Sequence, residues 1–324
     1  YQSQQQRSSW YGVTNPLCLF TPIYGQYLPE LPLFINTEEQ QRYFALNLQD
    51  QIFLNDQWSV LFGARFDHIT QDFQNKLTDT SSKKDLQQTS PRLGLNYRLN
   101  DRWSWYANYG ESFALNSGMD RNGDVFNPEK GKSYEIGGKY RITSQSLLSL
   151  ALFKMDKENV LTTDPADSNY QITAGEVSSK GLELDLETQL NDQFSIRANY
   201  SYTDAQVEKD QILAKGSRLS NVPKHSGSIS SNYEWTLANA DKVGLGATAI
   251  YVGKRSGHST DNGFNLPEYT LLNLNAYYAP TDQLRYQFNV HNLLDETYYV
   301  ASYSDMWIQP GDPLNASVSV QWKF

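Results

Sequence analysis

The chain has 324 residues, a net charge of −9, 13% aromatic residues and one cysteine, Cys18. The acidic balance argues against a nucleic-acid partner, and a lone cysteine excludes both a disulfide framework and a thiolate metal site within the chain. Mean hydropathy is −0.61 and no run approaches about 18 apolar residues, which excludes transmembrane helices but not membrane strands of about 9–11 alternating residues.

Thirteen segments with a period-two alternation of apolar and polar residues are predicted as strands. In the last of them, Ala316, Val318 and Val320 alternate with Ser317 and Ser319, which places one set on each face of a sheet. Residues 1–6 are interpreted as the tail of a fourteenth strand. The thirteen spans are approximately 42–55, 57–73, 88–99, 102–114, 132–142, 145–157, 174–190, 193–206, 223–237, 242–254, 268–279, 283–294 and 313–324.

Short and long connections alternate strictly between these segments. Tight polar turns are predicted at 55–57, 100–102, 143–145, 191–193, 238–241 and 280–283. Long polar loops are predicted at about 8–40, 74–88, 115–131, 157–173, 207–222, 255–267 and 298–313. This segregation is typical of outer-membrane β-barrels, which have short periplasmic turns and long outer loops.

Aromatic residues lie near the predicted turns. Trp58, Trp103, Trp105, Trp235 and Trp322 stand at strand ends, where an aromatic girdle at a membrane interface would place them. The alternative is that aromatic residues are simply good strand formers.

The predicted fold is all-β: a transmembrane antiparallel β-barrel, here a truncated portion of about 13–14 strands. Bacterial single-chain barrels have even strand numbers with both termini in the periplasm. A chain that begins with half a rising strand does not fit that rule, so a truncated barrel is expected.

Four short motifs resemble those of TonB-dependent receptors. Asn127 to Lys139 is similar to their Pro-x-x-Gly-x-x-x-Glu-x-Gly-x-Lys segment, and residues 179–185, 221–225 and 292–299 resemble later strand motifs in the same order. Residues 20–25, 90–94, 109–113 and 299–303 are similar to the ferrichrome-type, hydroxamate branch. Receptors of that branch usually carry cysteine pairs in outer loops, whereas this chain has Cys18 alone.

The resemblance implies a fold and a function for the whole chain. Residues 1–324 would be the C-terminal part of a plugged barrel of about 22 strands, with the N-terminal plug and the first strands absent. The protein would be a monomer in the outer membrane of a Gram-negative bacterium, surrounded by lipid and lipopolysaccharide. It would import a ferric siderophore, expected to be a hydroxamate, using energy from TonB, ExbB and ExbD through the missing plug.

No catalytic or metal-binding constellation is expected. The histidines, His68, His225, His258 and His291, have no ligand spacing, and no enzymatic activity is predicted. Because the siderophore already coordinates its iron, the receptor needs no cofactor and no metal ligands of its own.

Two sets of site residues follow from the resemblance. Aromatic residues at strand tops and in loops are candidates for siderophore binding: Tyr24, Phe113, Tyr303, Trp10, Trp307, Phe126 and Tyr170, with Tyr11 also considered. Lumen charges are candidates for plug contacts: Glu183, Asp185, Glu187, Arg197 and Arg285, with a cation site as the alternative for the three acidic residues.

Two other functions stay open at this point. One is a TonB-dependent receptor for another cargo, such as a catecholate siderophore, haem, cobalamin or a metal chelate. The other is a passive 14-stranded outer-membrane channel.

Overall fold

The computed structural model describes residues 2–11, 33–258, 260 and 262–324, with side chains from residue 35 onwards. Fourteen antiparallel strands form one sheet in the order β1-β2-β3-β4-β5-β6-β7-β8-β9-β10-β11-β14-β15-β18. These strands are β1 (Gln2–Tyr11), β2 (Leu33–Phe53), β3 (Trp58–Asn75), β4 (Thr80–Arg98), β5 (Trp103–Ala114), β6 (Glu129–Thr143), β7 (Ser146–Thr163), β8 (Gln171–Gln189), β9 (Phe194–Lys209), β10 (His225–Thr236), β11 (Lys242–Val252), β14 (Tyr269–Ala279), β15 (Leu284–His291) and β18 (Asn315–Trp322). The described residues include no helix that could span a membrane.

Two small hairpins lie in the connections at the loop end of the sheet. One pairs β12 (Arg255–Ser256) with β13 (Asn265–Leu266), and the other pairs β16 (Tyr299–Ser304) with β17 (Trp307–Pro310). Residues 255–267 and 298–313 were predicted as plain loops, so the hairpins are additions that sequence alternation did not indicate.

The predicted strand count is confirmed, and so are all six tight turns. The predicted tail at residues 1–6 is longer than expected, since β1 reaches Tyr11 and pairs with β2.

Several boundaries were wrong. The predicted loop at 74–88 is a four-residue turn, 76–79, between β3 and β4. The pairing continues through polar residues there because backbone hydrogen bonds need no apolar face in water. The connections predicted at 115–131 and 157–173 are also shorter, at 115–128 and 164–170, for the same reason. Those predicted at 255–267 and 298–313 are instead longer, at 253–268 and 292–314, and residues 12–32 lie outside the described part. The strand predicted at 283–294 ends at His291 because Asn292 adopts a left-handed φ of 50°.

The two faces of the sheet have the predicted chemistry. Leu182 pairs with Leu152 and Tyr202 across neighbouring strands on the convex, membrane-facing side. Glu183 pairs with Ala151 and Ser201 on the opposite, concave side. Strand β7 is the exception, because Leu147, Phe153 and Met155 also place apolar groups on the concave side.

An aromatic belt lies on the membrane face beside the tight turns. Ring centroids are 4.4 Å apart both for Trp58 and Tyr97 and for Trp103 and Tyr140. The same level holds three further pairs at the other strands: Phe194–Tyr233, Tyr278–Tyr286 and Trp322–Phe324. This arrangement supports the girdle interpretation, since the five pairs lie at one level beside the tight turns.

Candidate functional site

The connection between β5 and β6, residues 115–128, folds inward over the concave face at the loop end. Gln71 of β3 is fully buried and donates from Nε2 to the Asn116 carbonyl at 2.9 Å and to Glu39 Oε1 at 2.7 Å. The Ser117 hydroxyl donates to the other carboxylate oxygen of Glu39. These buried polar contacts attach the loop to the barrel wall.

Further hydrogen bonds attach the same loop to its neighbours. Asn116 Nδ2 donates to the carbonyls of Asn127 at 2.8 Å and Asn159 at 3.0 Å. Arg121 forms an ion pair of 3.2 Å with Asp164, which lies buried at the start of the β7–β8 connection. We call the assembly of residues 115–128 and 164–170 with the tops of β2–β4 and β7 the first loop unit.

Three later connections form a second loop unit, made of residues 210–224, 253–268 and 292–314. Asn221 and Ser302 exchange two hydrogen bonds, from Asn221 Nδ2 to the Ser302 carbonyl at 2.8 Å and from the Ser302 N–H to Asn221 Oδ1 at 2.9 Å. The Asn221 N–H donates to the Ser256 carbonyl at 2.8 Å. The three connections are therefore joined through one buried polar centre.

Arg255 lies in that centre and is 1% exposed. Its guanidinium donates to the carbonyls of Tyr299, Val300 and Pro267, and it lies 5.4 Å from the ring centroid of Tyr269. Burial lowers the pKa of the Arg255 guanidinium, but an arginine starts so high that it stays protonated. Its charge is therefore balanced by carbonyl dipoles.

A polar cavity of about 370 Å³ lies beneath the first loop unit. It is lined by Lys84 of β4, by Asp120, Asp124 and Phe126 of the loop, and by Thr173 of β8. A volume in this range suits a small ligand or part of a larger one.

The predicted lumen charges all lie on the concave face. Glu187 and Arg197 form an ion pair with each other at 2.8 Å, both well exposed, so they largely neutralise one another. Glu183 and Asp185 are exposed, and no cation of the described residues lies within ion-pair distance of either. Their proposed contact with a plug remains a prediction.

Arg285 lies near the turn end of the lumen. Its guanidinium carbon is 3.6 Å from the ring centroid of Tyr277, whose hydroxyl donates to Glu234. Arg285 Nε is buried without a hydrogen-bond partner among the described residues. Arg285 can therefore still donate a hydrogen bond to a further partner. Its contact with a plug stays a prediction.

The predicted siderophore-binding aromatics are dispersed. Tyr303 and Trp307 are 70% and 76% exposed and lie on the same hairpin, β16–β17. Tyr170 is exposed in the β7–β8 connection, whereas Phe126 is buried and packs against Gly118. The remaining predictions fall elsewhere: Phe113 is half-buried and shares the outward face with Tyr109, and Tyr24 and the side chains of Trp10 and Tyr11 lie outside the described residues.

Sequence reasoning missed Lys84, Asn116, Asn221 and Arg255. Lys84, Asn116 and Arg255 lie in polar stretches without a motif, and no signal in the sequence distinguishes them from solvated loop residues. Asn221 opens the 221–225 motif, but that motif does not indicate its contact with Ser302. Among the described residues, no three His, Cys, Asp or Glu side chains converge on a point where they could hold a metal ion.

Comparison with known proteins identifies the family. The model for the TonB dependent receptor-like β-barrel matches residues 1–293. The chain belongs to the TonB-dependent receptor family. It is therefore an outer-membrane β-barrel protein of the Gram-negative type, and the loop end of the sheet faces outward.

Individual relatives are receptors rather than enzymes. The chain is 41% identical over 306 residues to the metal-pseudopaline receptor CntO of Pseudomonas aeruginosa, covering 92% of the chain and 43% of that protein. It is 30% identical over 332 residues to the ferrioxamine B receptor of Salmonella typhimurium, covering 100% of the chain and 47% of that protein. The chain thus spans less than half the length of these relatives.

A solved structure supports the fold. The ferric-catecholate import receptor Fiu of Escherichia coli superimposes with a TM-score of 0.78 at 22% identity, covering 99% of this chain and 51% of that one. At this identity the likeness establishes the architecture alone. The chain is accordingly part of a larger barrel of the same kind.

Proposed function

We propose that the receptor containing this chain imports a metal chelate across the outer membrane, with energy supplied through TonB, ExbB and ExbD. The observation that carries the proposal is the 41% identity to a metal-pseudopaline receptor over 92% of the chain. This chain would supply one side of the barrel wall and two loop units at the outer mouth. Family membership argues against the passive channel.

Metal-pseudopaline is the cargo that the relatives favour first. A ferric hydroxamate, the cargo expected from the sequence motifs, is the second candidate, supported by the 30% identity to the ferrioxamine B receptor. Catecholate cargo has only fold-level support, because the Fiu likeness lies at 22% identity.

The two loop units supply a physical basis for binding. Each is held by buried hydrogen bonds, so little conformational entropy is lost when a ligand docks between them. The exposed Tyr303 and Trp307 offer aromatic surface to a compact chelate. In the lumen, Glu183, Asp185 and Arg285 would meet charged or polar groups of a plug, in a monomer surrounded by lipid and lipopolysaccharide.

The test uses the purified full-length receptor that contains this chain. Tryptophan fluorescence is titrated with metal-pseudopaline, ferrioxamine B and a ferric catecholate, and each chelator is also titrated without metal. Saturable quenching at submicromolar metal-pseudopaline supports the first cargo, and the same result with ferrioxamine B alone supports the second. Quenching by neither leaves the proposed function without support.

Two variants then test the aromatic hairpin. Tyr303→Ala and Trp307→Ala remove exposed rings, so folding should be unaffected, and each is expected to weaken chelate binding about tenfold if the ring stacks on the cargo. Leu77→Ala, at the exposed tip of the β3–β4 turn, is the matched control. Equal affinity of all three variants would show that the β16–β17 hairpin does not contact the chelate.

A further inference from the structure

Lys84 has an unusual environment for a lysine beneath a loop. Its ammonium donates to the Val125 carbonyl at 2.9 Å and to Asn127 Oδ1 at 2.8 Å. Both acceptors are neutral, and among the described residues no carboxylate lies within 4.0 Å of its Nζ. An ammonium has three N–H groups, so one N–H of Lys84 has no acceptor among the described residues. Its positive charge is not neutralised by a carboxylate and lines the cavity.

The cavity around Lys84 is held in shape before any ligand arrives. Val125 and Phe126 are buried, and the Phe126 N–H donates to the Gly118 carbonyl at 3.4 Å. Asp120 Oδ1 accepts the N–H groups of Asn122 and Asp124 at 2.8 Å and 3.0 Å, which closes the loop on itself. A fixed cation in such a cavity binds an anion without first reorganising its surroundings.

The carboxylates that line the cavity do not neutralise the Lys84 ammonium. Asp120 is committed to its own loop, and Asp124 lines the cavity beyond ion-pair distance from Lys84. A ligand that carries both a carboxylate and a positively charged part would satisfy Lys84 and Asp124 together. Ferrioxamine B, whose free group is an amine, offers the positively charged part but no carboxylate.

We infer that this cavity is a subsite for a free carboxylate of the cargo, so that the imported chelate belongs to the carboxylate-bearing class. The inference rests on the proposed function and narrows it. The carboxylate accepts from the Lys84 ammonium, and the metal or an amine of the chelate faces Asp124.

A second lysine provides a matched control. Lys130 of β6 is exposed, pairs with outward-facing Phe113 and is not among the residues that line the cavity. In the full-length receptor, Lys84→Met should weaken binding of the chelate at least about tenfold, since a charge-assisted hydrogen bond is lost. Lys130→Met should leave the affinity unchanged.

A second variant separates charge from loop support. Asn127→Ala removes one acceptor that holds Lys84 but keeps the ammonium, so it should change the affinity less than about threefold. If Asn127→Ala weakens binding as much as Lys84→Met, the lysine acts by holding the loop and the subsite is rejected.

Matched probes test the carboxylate itself. Ferrioxamine B capped at its terminal amine with a succinyl group carries a free carboxylate, whereas the acetyl-capped complex does not. The parent receptor should prefer the succinyl form and Lys84→Met should lose that preference. Equal affinity of the parent for both forms overturns the inference, and so does a preference that survives in Lys84→Met. If the parent binds no chelate at all, metal-pseudopaline included, the proposed function fails first.

Discussion

Four aromatic side chains lie directly opposite glycine residues of neighbouring strands. Tyr106 faces Gly137, Trp105 faces Gly138, Phe153 faces Gly181 and Tyr277 faces Gly244. A Cβ built on Gly138 or Gly181 would stand 2.7 Å from the opposing ring, closer than real Cβ atoms approach. The rings therefore occupy the space that only glycine leaves free.

Gly244→Ala should destabilise the barrel for this reason. The new methyl group would displace the Tyr277 ring, which stacks on Arg285 and donates to Glu234. Overpacking of this kind costs about 1–3 kcal/mol. Urea unfolding of the full-length receptor in detergent measures the loss. Gly110→Ala is the control, since its nearest neighbour would be an ordinary 3.4 Å away, and equal stability of the two variants would contradict the prediction.

Arg255→Met should loosen the second loop unit without unfolding the barrel. The substitution leaves the carbonyls of Tyr299 and Val300 without their charged donor, at a local cost of roughly 2–5 kcal/mol. Hydrogen exchange of the outer loops in the full-length receptor should accelerate in 210–224, 253–268 and 292–314 together. The exposed neighbour Lys254→Met is the control, and acceleration confined to 253–268 would show that the connections are not joined through Arg255.

At the scale of elements, three tight turns use one local device. Asn55, Asn100 and Asn191 each accept, at Oδ1, the N–H groups two and three residues ahead, at 2.9 Å in every case. Each is followed by aspartate and, three positions on, by an aromatic residue that begins the next strand. The asparagine reverses the chain while the aromatic ring sets the strand at the membrane boundary.

Asn191→Ala should therefore cost about 1 kcal/mol, the usual net value of a hydrogen bond. Asn191→Asp should recover most of that loss, because a carboxylate oxygen accepts from the same N–H groups. Alanine at Asn55 and at Asn100 should each add a similar loss of stability, since the three turns share no partner. Urea unfolding of the single and triple variants provides the measurement. A triple variant no weaker than the single one would show that the turns do not act independently.

The sequence predicted these elements well where local chemistry decides them. The Asn-Asp turns and the alternating membrane segments follow from neighbours in the chain, and both are confirmed. The loop-end extensions of β2 and β4 were missed because their residues are mostly polar and carry no clear alternation of hydropathy. The β12–β13 and β16–β17 hairpins were missed for the same reason.

The candidate site could not be predicted in the same way. Asn221 and Ser302 are 81 residues apart in the chain, and Gln71 and Asn116 are 45 apart. Only the curvature of the sheet brings these pairs together, so no local pattern marks them. The aromatic predictions depended on residue type alone, which does not separate a buried ring such as Phe126 from an exposed one such as Tyr303.

At the scale of the whole molecule, the described sheet is open. Strand β1 pairs only with β2, and β18 pairs only with β15. Each outer strand thus presents a row of unpaired backbone groups, which cost several kcal/mol apiece in lipid. A closed barrel removes both edges, and the relatives are long enough to supply the missing strands.

Residues 1–324 alone should therefore not insert into liposomes as a heat-modifiable barrel, whereas the full-length receptor should. Gel mobility with and without heating, after refolding into the same liposomes, distinguishes the two. A folded, heat-modifiable band from residues 1–324 would mean that the two edges can meet and pair with each other.

The glycine–aromatic pairs also bear on how such a sheet assembles. Sliding one strand past its neighbour by two residues would preserve the alternation of faces, so hydropathy alone does not forbid the error. The rings forbid it, because a shifted Tyr106 or Phe153 would meet a side chain where its glycine had been. Such a ring fits only opposite its own glycine, so each pair fixes the register of its two strands. A misaligned hairpin is therefore rejected by steric repulsion as it closes, before the barrel has formed.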